Sequence, residues 1–182
     1  MKLLNFIIMC KNYKSLIMLT YAITTHNEDK ELRMLLSQLQ SLNFIQNHQI
    51  LIQYDSSSVT KEVMDVIYEF KETWKGRFDI TGYPLNKHFA NFKNNLFNYA
   101  KGNWIFQIDA DETLSYNLLY YLPELLGEYD EVDLILISRI NVVNGISQNH
   151  IDMYGWNISQ HDKYGTIINW PDNQCRLYKN SS

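Results

Sequence analysis

Apolar and polar residues alternate between two periods along most of the chain. The segment SLIMLTYAITT, residues 15–25, is an apolar and β-branched run that ends in polar residues, which is typical of a buried strand. The segment after it begins with acidic residues and then places leucines on one face of a helix. These leucines are Leu32, Leu35, Leu36, Leu39 and Leu42. The pattern predicts one strand followed by one helix.

This strand and helix unit then recurs twice. QILIQYD predicts a second strand, and a second helix with an apolar face follows it. RFDITGY predicts a third strand that ends at Pro84, and a helix from His88 to Lys101 is expected to stop at Gly102. The apolar face of the second helix is formed by Val63, Val66, Ile67, Phe70 and Trp74.

Three further elements complete the regular part of the chain. The stretch NWIFQIDADETLS contains a fourth strand, Trp104–Ile108, and a helix from about Ser115 to Leu126 follows, which we expect Pro123 to kink or shorten. VDLILIS, Val132–Ser138, predicts a fifth strand. Strands joined by single helices require right-handed crossovers and a mainly parallel sheet. The predicted fold class is therefore α/β and Rossmann-like, with a mainly parallel central sheet flanked by helices.

The chain beyond Arg139 is less regular. It is rich in Asn, Gly, Tyr and Trp and has only short β-like pieces, so we expect a loop-rich surface or an edge hairpin there. A length of 182 residues with 46% apolar and 14% aromatic residues suffices for one buried core. We therefore expect residues 1–182 to form a single domain.

Charge and cysteine content exclude several classes of function. The formal net charge is -4, the isoelectric point is near 5.7, and no long run of lysine or arginine occurs, so no nucleic-acid partner is expected. Cys10 and Cys175 belong to no Cys-x-x-Cys pair, and neither a zinc site nor a disulfide framework is indicated. These features favour a reducing, cytoplasmic location.

The first residues, MKLLNFIIMCKNYK, place a lysine before an apolar run. The run is interrupted by Asn5, is followed by Lys11 and Lys14, and is shorter than the roughly 20 apolar residues that cross a bilayer. We therefore expect neither a signal peptide nor a transmembrane span. Residues 1–14 are interpreted as an additional N-terminal segment, and Met18 is an alternative translation start.

Polar side chains follow the predicted strands at the points where the strands end. Ligands of α/β sheets bind beyond the carboxyl ends of the strands, so these side chains are candidates for a binding site. They are Thr24, Thr25, His26, Asn27 and Glu28 after the first strand, Asp55 and three serines after the second, and Asp109, Asp111 and Glu112 after the fourth. Several also have a purely structural interpretation, because Thr, Asn, Asp and Ser are common helix caps.

Asp109 and Asp111 form the strongest metal signal. Two carboxylates at this spacing, where a strand turns, can reach one hard cation such as Mg²⁺ or Mn²⁺, which keeps positions open for phosphate oxygens. Asp-x-Asp pairs are common by chance, and the apolar run before this one is what favours a functional site. The chain contains neither Gly-x-Gly-x-x-Gly nor Gly-x-x-x-x-Gly-Lys-Ser/Thr, so it offers no dinucleotide fingerprint and no P-loop.

Four blocks of sequence together resemble the family 2 glycosyltransferases of the GT-A fold. The branch that they resemble most is that of the lipopolysaccharide-core β-glucosyltransferases. The blocks are ITTHNED, QYDSSS, FANFKNNLFNYAKGNWIFQIDADE and NWPDNQCRLYKN, and they span most of the chain from residue 20 onward. The third block is the most specific, because it joins Phe-Ala-x-x-Lys-Asn, a glycine, an aromatic residue and Asp-Ala-Asp-Glu in the family's order.

The resemblance implies a nucleotide-sugar donor bound over the strand ends, with UDP favoured as the nucleotide. Residues 15–115 would form the donor-binding half, and residues 116–182 the acceptor-side half. Asp55 would meet the base or the ribose, Asp109 would lie by the ribose and diphosphate, and Asp111 would bind Mn²⁺ or Mg²⁺ together with Asp109. The remaining donor-site residues would be Thr24, His26, Asn27, Glu28 and Lys93.

The chemistry that the resemblance implies is displacement at the anomeric carbon. A hydroxyl of a glycan or lipid-linked acceptor would attack through an oxocarbenium-like transition state, with inversion, while the cation neutralises the departing nucleoside diphosphate. A carboxylate would take the acceptor proton as general base. A lipid-linked acceptor would also bring the protein to a membrane transiently.

Two departures from the family pattern affect these expectations. Lys93 stands where the family usually has arginine, and although it keeps the charge it loses the bidentate fork. The family generally continues beyond the Arg-Leu-aromatic block, whereas this chain ends at Ser182, so we expect the acceptor-side half to be truncated. Asp172 is the candidate general base, ahead of Asp152 and Asp162.

Two other functions remain open. A glycosyltransferase-like domain that binds a nucleotide or a partner protein without turnover would fit the short acceptor-side half. WIFQIDADETL also matches the motif of haloacid-dehalogenase-like phosphatases, with Asp109 as nucleophile, Asp111 as acid and Thr113 behind them. Those enzymes carry the motif on their first strand, whereas three strand units precede it here.

Overall fold

The computed structural model describes residues 18–128, 131–143 and 145–180, and for residues 43 and 44 only the backbone. The interpretation of residues 1–14 as an additional segment therefore lies outside the described residues, as does Cys10. The described part contains seven strands and five α-helices. In chain order they are β1 (Leu19–Thr25), α1 (Asp29–Gln40), β2 (Gln49–Asp55), α2 (Lys61–Thr73), β3 (Arg77–Tyr83), α3 (Phe89–Asn95), β4 (Trp104–Asp109), α4 (Tyr116–Glu128), β5 (Leu134–Val142), α5 (Gln148–Tyr154), β6 (Ile158–His161) and β7 (Gly165–Lys179).

The strands form one mixed sheet. Its order is β3, β2, β1, β4, β7, β5, and β6 pairs with β7 beside this path. The first four strands of the chain are parallel to one another, whereas β7 runs antiparallel to β4, β5 and β6. The predicted α/β class, with a parallel half built from strand and helix units, is confirmed. After β1, the chain adds β2 and then β3 on one side of it, and β4 then pairs with the other side of β1. The strand order therefore reverses between β1 and β4.

Helices cover the parallel strands on both faces. On one face, α1, α2 and α4 pack against a core that includes Tyr21 and Ile23. On the other face, Leu96, in a 3₁₀ turn after α3, packs with Ala22 and Ile105. Successive side chains of β1 reach the two cores in alternation, and all seven residues of β1 are buried. Burial on both faces explains why the strand reads as a continuous apolar run.

The leucines of the first predicted helix provide most of its attachment to the sheet. Four of the five predicted positions lie within α1, and each of them is at most 2% exposed. Full burial of a leucine side chain contributes about 2 kcal/mol relative to an exposed one. Leu42 follows the end of the helix and is half-buried. The four buried leucines are Leu32, Leu35, Leu36 and Leu39.

The helix predicted from His88 to Lys101 is shorter than expected. The α-helical part ends at Asn95, and a 3₁₀ turn, Leu96–Asn98, continues it. Phe89, in the first turn of α3, is 66% exposed, whereas Phe92, about one turn later, is 5% exposed. Phe89 directly follows the N-cap of α3, where His88 Nδ1 accepts the backbone N–H of Asn91.

Gly102 acts by close approach and not as a left-handed helix cap. A Cβ atom there would lie 2.6 Å from the carbonyl oxygen of Met18 and 2.6 Å from the backbone nitrogen of Thr20. Its own N–H donates to the Thr20 hydroxyl across 2.9 Å. Glycine therefore lets the chain pass directly against the start of β1 before β4 begins.

Of the two effects expected of Pro123, a kink or a shortened helix, the shortening does not occur. The helix continues through Pro123 to Glu128. Proline removes one backbone hydrogen bond and crowds the preceding turn. The buried face of the helix offsets this cost, since Leu119, Leu122 and Leu126 are each at most 1% exposed against the core.

The expectation of a loop-rich surface beyond Arg139 is wrong, and the expected edge hairpin is met only in part, because β6 and β7 form an antiparallel hairpin but β7 is not an edge strand. β7 spans 15 residues and lies inside the sheet, between β4 and β5, so that β5 forms the edge. Polar and apolar positions do not alternate cleanly along this pair of strands. The register shifts between Ile135 and Leu136 and again between Arg139 and Asn141. Each shift breaks the two-residue period on which a strand prediction depends.

None of the helices in the described ranges is both long and apolar enough to span a bilayer.

Candidate active site

The polar ends of three parallel strands meet at one edge of the sheet. β1 lies between β2 and β4, and Thr24 stands opposite Asp109 in the register of β1 and β4. The Thr24 hydroxyl donates to Asp109 Oδ1 across 2.7 Å. Asp55 is the last residue of β2. The edge lies where the strand order reverses, which is the usual ligand position in open α/β sheets.

Two basic side chains from distant parts of the chain hold the carboxylate of Asp109. Lys93 Nζ, from α3, lies 2.8 Å from Oδ1 and 3.0 Å from Oδ2. Arg176 Nη2, from β7, lies 3.1 Å from Oδ2. Lys93 therefore does not take the solvated position expected of a surface lysine, and only 28% of its side chain is exposed. Both oxygens of Asp109 have partners within the protein.

These partners control the ionisation of Asp109. Burial by itself raises the pKa of this carboxyl group. Hydrogen bonds from Lys93 and Thr24, together with the positive charges of Lys93 and Arg176, outweigh burial and hold the pKa of Asp109 below its usual range. The group is therefore a carboxylate at neutral pH, and its charge is matched locally.

Glu112 ties the turn after β4 to the C-terminal strands. Its Oε2 accepts the backbone N–H of Asp109 across 3.0 Å, and its Oε1 accepts from Arg176 Nη2 across 2.6 Å. Arg139 Nη1, from β5, lies 3.5 Å from the same Oε1. The guanidinium of Arg176 is thereby placed between two carboxylates, and its side chain is 10% exposed.

Asp172 ends a row of alternating charges. Arg139 Nη2 lies 2.8 Å from Asp172 Oδ2, and Asn141 and Gln174 also donate to this carboxylate. The hydrogen bond from Asn141 is the largest cause of a lowered pKa at Asp172; burial opposes it, while Gln174 and Arg139 add to it. We call the row from α3 to β7 the charged row. It consists of Lys93, Asp109, Arg176, Glu112, Arg139 and Asp172.

Asp55 is committed to the loops around the end of β2. Its Oδ1 accepts the backbone N–H groups of Ser57 and Leu85, each across 3.0 Å, and the Ser57 hydroxyl across 2.5 Å. Its Oδ2 accepts the Ser58 hydroxyl across 2.8 Å. Burial by itself raises the pKa of Asp55, but these hydrogen bonds outweigh it, and the pKa lies well below its usual range. Asp55 thereby joins the turn after β2 to the loop after β3.

Glu28 closes the turn between β1 and α1. Its Oε2 accepts the backbone N–H of His26 across 2.7 Å, that of Asn27 across 3.1 Å and the Thr25 hydroxyl across 3.2 Å. A carboxylate in this position satisfies backbone donors ahead of the helix that would otherwise lack partners. The side chain of His26 meets the neighbouring turn, where its Nε2 lies 2.7 Å from Ser58 Oγ.

Asp111 differs from the other acidic residues of the site. Its side chain is exposed, and it has no hydrogen-bond or ion-pair partner among the described residues. The described ranges contain no group of three or more His, Cys, Asp or Glu residues that could hold a metal. A single free carboxylate fits a Mg²⁺ or Mn²⁺ ion that takes its other ligands from water and substrate phosphates, but not an all-protein cage.

The predicted site residues thus fall into separate groups. Thr24, Lys93 and Asp109 are in direct contact, and Asp172 is connected to them through the charged row. His26, Asn27, Glu28 and Asp55 hold the adjoining turns, and Asp111 stands apart.

The sequence profile of the family described as Glycosyl transferase family 2 matches residues 20–181. The chain belongs to glycosyl transferase family 2. The match covers all three parallel strand and helix units and the C-terminal strands, so the charged row lies entirely inside it. Membership of this family also removes the haloacid-dehalogenase-like interpretation of the Asp109 motif. A comparison with curated proteins gives no match.

Solved structures share the fold of this family 2 chain at low sequence identity. Residues 1–349 of TarS from S. aureus superpose with a TM-score of 0.63 at 14% identity, covering 90% of this chain and 47% of TarS 1-349. The complex of that fragment with UDP gives 0.62 at 15% identity, with coverages of 90% and 47%. This chain therefore spans about half the length of TarS 1-349.

Another solved structure with a similar fold is the mannosyltransferase PcManGT from Pyrobaculum calidifontis, in complex with GDP-Man and Mn²⁺. Its TM-score is 0.56 at 14% identity, covering 68% of this chain and 35% of PcManGT. Together with the family match, these structures establish the GT-A fold for the family 2 chain.

Sequence reasoning assigned no role to Arg139 or Arg176, and it named Glu112 only as one of the polar residues after the fourth strand. Arg176 belongs to the block NWPDNQCRLYKN, and Glu112 follows the Asp-x-Asp pair, so both stood in the matched text without a function. Arg139 lay at the end of the fifth predicted strand and gave no signal. Their roles depend on β7 lying next to β4, a pairing that no local pattern indicates.

Proposed function

We propose that this family 2 chain binds a nucleotide-sugar donor, UDP-linked, over the carboxyl ends of β1, β2 and β4, and that it transfers the sugar with inversion to a glycan or lipid-linked acceptor. One observation carries the proposal. Asp109, at the end of β4, is fixed by Thr24, Lys93 and Arg176 at the edge where the strand order reverses, with the exposed carboxylate of Asp111 beside it.

Basic side chains around Asp109 suit the donor diphosphate. Lys93 and Arg176 are oriented by one carboxylate, and each keeps further N–H groups for phosphate oxygens. Asp109 orients these donors, and the ribose lies within reach of the same strand end. Among the turn residues, Asp55 and Glu28 hold the loops in shape, while Thr24, His26 and Asn27 line the nucleotide pocket.

Asp111 is the protein ligand of the divalent cation in this proposal. Its carboxylate is free, whereas Asp109 would have to give up Lys93 or Arg176 to bind the ion directly. Bound Mn²⁺ or Mg²⁺ supplies charge neutralisation on the departing nucleoside diphosphate. The protein's own contribution is to hold the diphosphate between the cationic side chains and the Asp111 carboxylate.

Asp172 is the candidate general base. It is the carboxylate of β7 that the charged row connects to Asp109, and three side chains fix its orientation. A lowered pKa makes it a weaker base. This suits a reaction in which the bond to the diphosphate breaks early and the acceptor proton leaves late.

The same lowered pKa favours a second candidate function, which is nucleotide binding without turnover. A carboxylate tied to Arg139 and Asn141 accepts a proton poorly, and a chain that lacks another base would bind the donor but not transfer the sugar. The two functions share the donor site and differ only on the acceptor side.

Calorimetric titration with UDP, with Mn²⁺ and with a chelator, tests the donor site. We expect Mn²⁺ to strengthen UDP binding to the wild type, and we expect Asp111→Asn to lose this gain, which amounts to about tenfold or more for one charge-assisted ligand bond. Glu72→Gln is the matched control. Glu72 is also an exposed carboxylate, but it lies near the end of α2, away from the carboxyl ends of the strands.

Two results would reject the proposed donor site. One is the absence of UDP binding, and the other is a Mn²⁺ effect of wild-type size in Asp111→Asn. Release of UDP from UDP-sugars in the presence of glycan acceptors then separates the two functions. Release above the rate of hydrolysis supports transfer, and binding without release supports the non-catalytic function.

A further inference from the structure

Ser58 stands between an acid and an imidazole at the rim of the proposed donor site. Its hydroxyl oxygen lies 2.8 Å from Asp55 Oδ2 and 2.7 Å from His26 Nε2. A hydroxyl group has one proton to donate and can accept with its lone pairs. Whichever neighbour accepts the hydrogen bond from the Ser58 hydroxyl therefore determines whether His26 Nε2 acts as a donor or as an acceptor.

Asp55 accepts the hydrogen bond that the Ser58 hydroxyl donates. Its carboxyl group accepts two backbone N–H groups and the hydroxyl of Ser57 in addition to Ser58, which is the environment of an ionised carboxylate. An ionised carboxylate can only accept hydrogen bonds. Ser58 thus donates to Asp55, and its oxygen is left as an acceptor for His26.

The imidazole of His26 must then carry its proton on Nε2. A neutral imidazole has one N–H, so Nδ1 is left as a bare acceptor. The ring is partly exposed, and within the described ranges no group donates to Nδ1. The backbone of the same residue is fixed by Glu28 Oε2 across 2.7 Å. The structure thus presents an oriented acceptor with an unused lone pair.

We propose that Asp55 and Ser58 fix His26 Nδ1 as a hydrogen-bond acceptor that receives one donor group of the bound nucleoside, either a ribose hydroxyl or the imide N–H of the base. This inference rests on the proposed function, because it assumes a nucleotide in the donor site. Asp55 and Ser58 are positioning residues, since they act through the imidazole. His26 is the residue that contacts the ligand and contributes to its selection.

The proton position is tested without ligand. Correlation spectra of imidazole ¹⁵N and ¹H nuclei, recorded at about pH 8 to keep histidine neutral, are assigned to His26 with the His26→Phe variant. We expect a directly detected, slowly exchanging proton on Nε2 and an unprotonated Nδ1. Ser58→Ala removes the acceptor of that proton and should abolish the directly detected signal, whereas Ser58→Thr keeps the hydroxyl and should retain it.

The contact between His26 Nδ1 and the nucleoside is tested by measuring the affinity for UDP in the presence of Mn²⁺. His26→Phe removes both ring nitrogens and should weaken binding by about three- to tenfold, the factor that one neutral hydrogen bond contributes. His26→Asn returns an acceptor atom at a position close to Nδ1 and should recover most of the loss. The two candidate donor groups, a ribose hydroxyl and the imide N–H of the base, are distinguished with 2′-deoxy-UDP, 3′-deoxy-UDP and N3-methyl-UDP. The analogue that lacks the relevant donor should bind the wild type more weakly, with no further loss in His26→Phe.

Opposite results overturn the inference. A proton on Nδ1, or an Nε2 proton signal unchanged in Ser58→Ala, would show that Asp55 and Ser58 do not fix the imidazole. Wild-type UDP affinity in His26→Phe, or equal losses for His26→Asn and His26→Phe, would show that Nδ1 accepts nothing from the nucleoside. If no nucleotide binds at all, the proposed function fails together with the ligand of Nδ1, while the spectra still decide the proton position.

Discussion

Arg176 Nη2 lies 2.6 Å from Oε1 of Glu112, and the arginine side chain is only 10% exposed. The same nitrogen lies 3.1 Å from Oδ2 of Asp109. One guanidinium thus bridges two carboxylates, one at the end of β4 and one in the turn after it. Backbone pairing between β4 and β7 stops at Phe106 and Leu177, so this contact continues the connection of the two strands toward the site.

Replacing Arg176 by alanine is expected to destabilise the protein. Breaking a fully buried ion pair from one side costs about 3 to 5 kcal/mol. Water can partly replace the lost partner here, because Asp109 and Glu112 are 30% and 19% exposed. We therefore expect the free energy of unfolding to fall by about 2 kcal/mol in urea denaturation.

Arg33→Ala is the matched control for this variant. Arg33 also makes two hydrogen bonds to one carboxylate, that of Glu69, but the two side chains are 46% and 54% exposed. An exposed pair of this kind contributes much less to stability than a buried one, because water screens the two charges. Equal losses in Arg176→Ala and Arg33→Ala would contradict a structural role for the charged row.

The two aspartates of the Asp-x-Asp pair should differ in their effect on stability. Asp109→Asn leaves Lys93 and Arg176 without their shared carboxylate and should lower the free energy of unfolding by about 1 to 2 kcal/mol. Asp111→Asn removes an exposed carboxylate that has no partner among the described residues, and it should change stability by less than about 0.5 kcal/mol. Denaturation without divalent cations measures both. A comparable loss in Asp111→Asn would mean that its carboxylate stabilises the fold.

The contribution of Asp109 should also depend on pH, with a definite sign. Its pKa in the folded protein lies below the unfolded value, so the unfolded state binds more protons between the two values and stability rises with pH there. The contribution is complete above the ordinary aspartate pKa of about 3.9 and is lost as the pH falls below it. We expect the stability difference between wild type and Asp109→Asn to be constant near neutral pH and to shrink in acid. A difference that grows in acid would reverse the assigned sign.

The parallel half of the fold was accessible from the sequence because its signals are local. β1 is buried along its whole length and reads as a largely apolar run, and the helices of the first two units carry regular apolar faces. The antiparallel part was not accessible in the same way. The position of β7 between β4 and β5 depends on contacts far apart in the chain, and two register shifts disturb its period.

The same distinction applies to the site. Asp109, Asp55 and Thr24 could be named because they lie at the carboxyl ends of strands, where ligands of such sheets bind. The partners of Asp109 could not be derived, since Arg176 lies 67 residues further along the chain. Residue type also did not show that Asp55 is committed to its own loops while Asp111 is free, because this depends on which backbone N–H groups the fold leaves nearby.

Asp172→Asn tests the assignment of the general base. Asparagine has nearly the same size but cannot take a proton, so we expect kcat for sugar transfer to fall by about 10²- to 10⁴-fold. The affinity for UDP should stay within about threefold, because Asp172 contacts Arg139, Asn141 and Gln174 and not the residues around Asp109. Steady-state kinetics with a UDP-sugar, together with calorimetry, separate the two effects.

Asp162→Asn is the control for this variant, since Asp162 is an exposed aspartate in the turn between β6 and β7 and should leave kcat unchanged. The pH profile adds a second criterion. Hydrogen bonds from Asn141, Gln174 and Arg139 hold the pKa of Asp172 below its usual range, so the carboxylate is ionised at neutral pH. The wild-type rate should therefore not decline through this group until the pH falls below about 4. A loss of kcat below tenfold in Asp172→Asn, or the larger loss in Asp162→Asn, would move the general base away from Asp172.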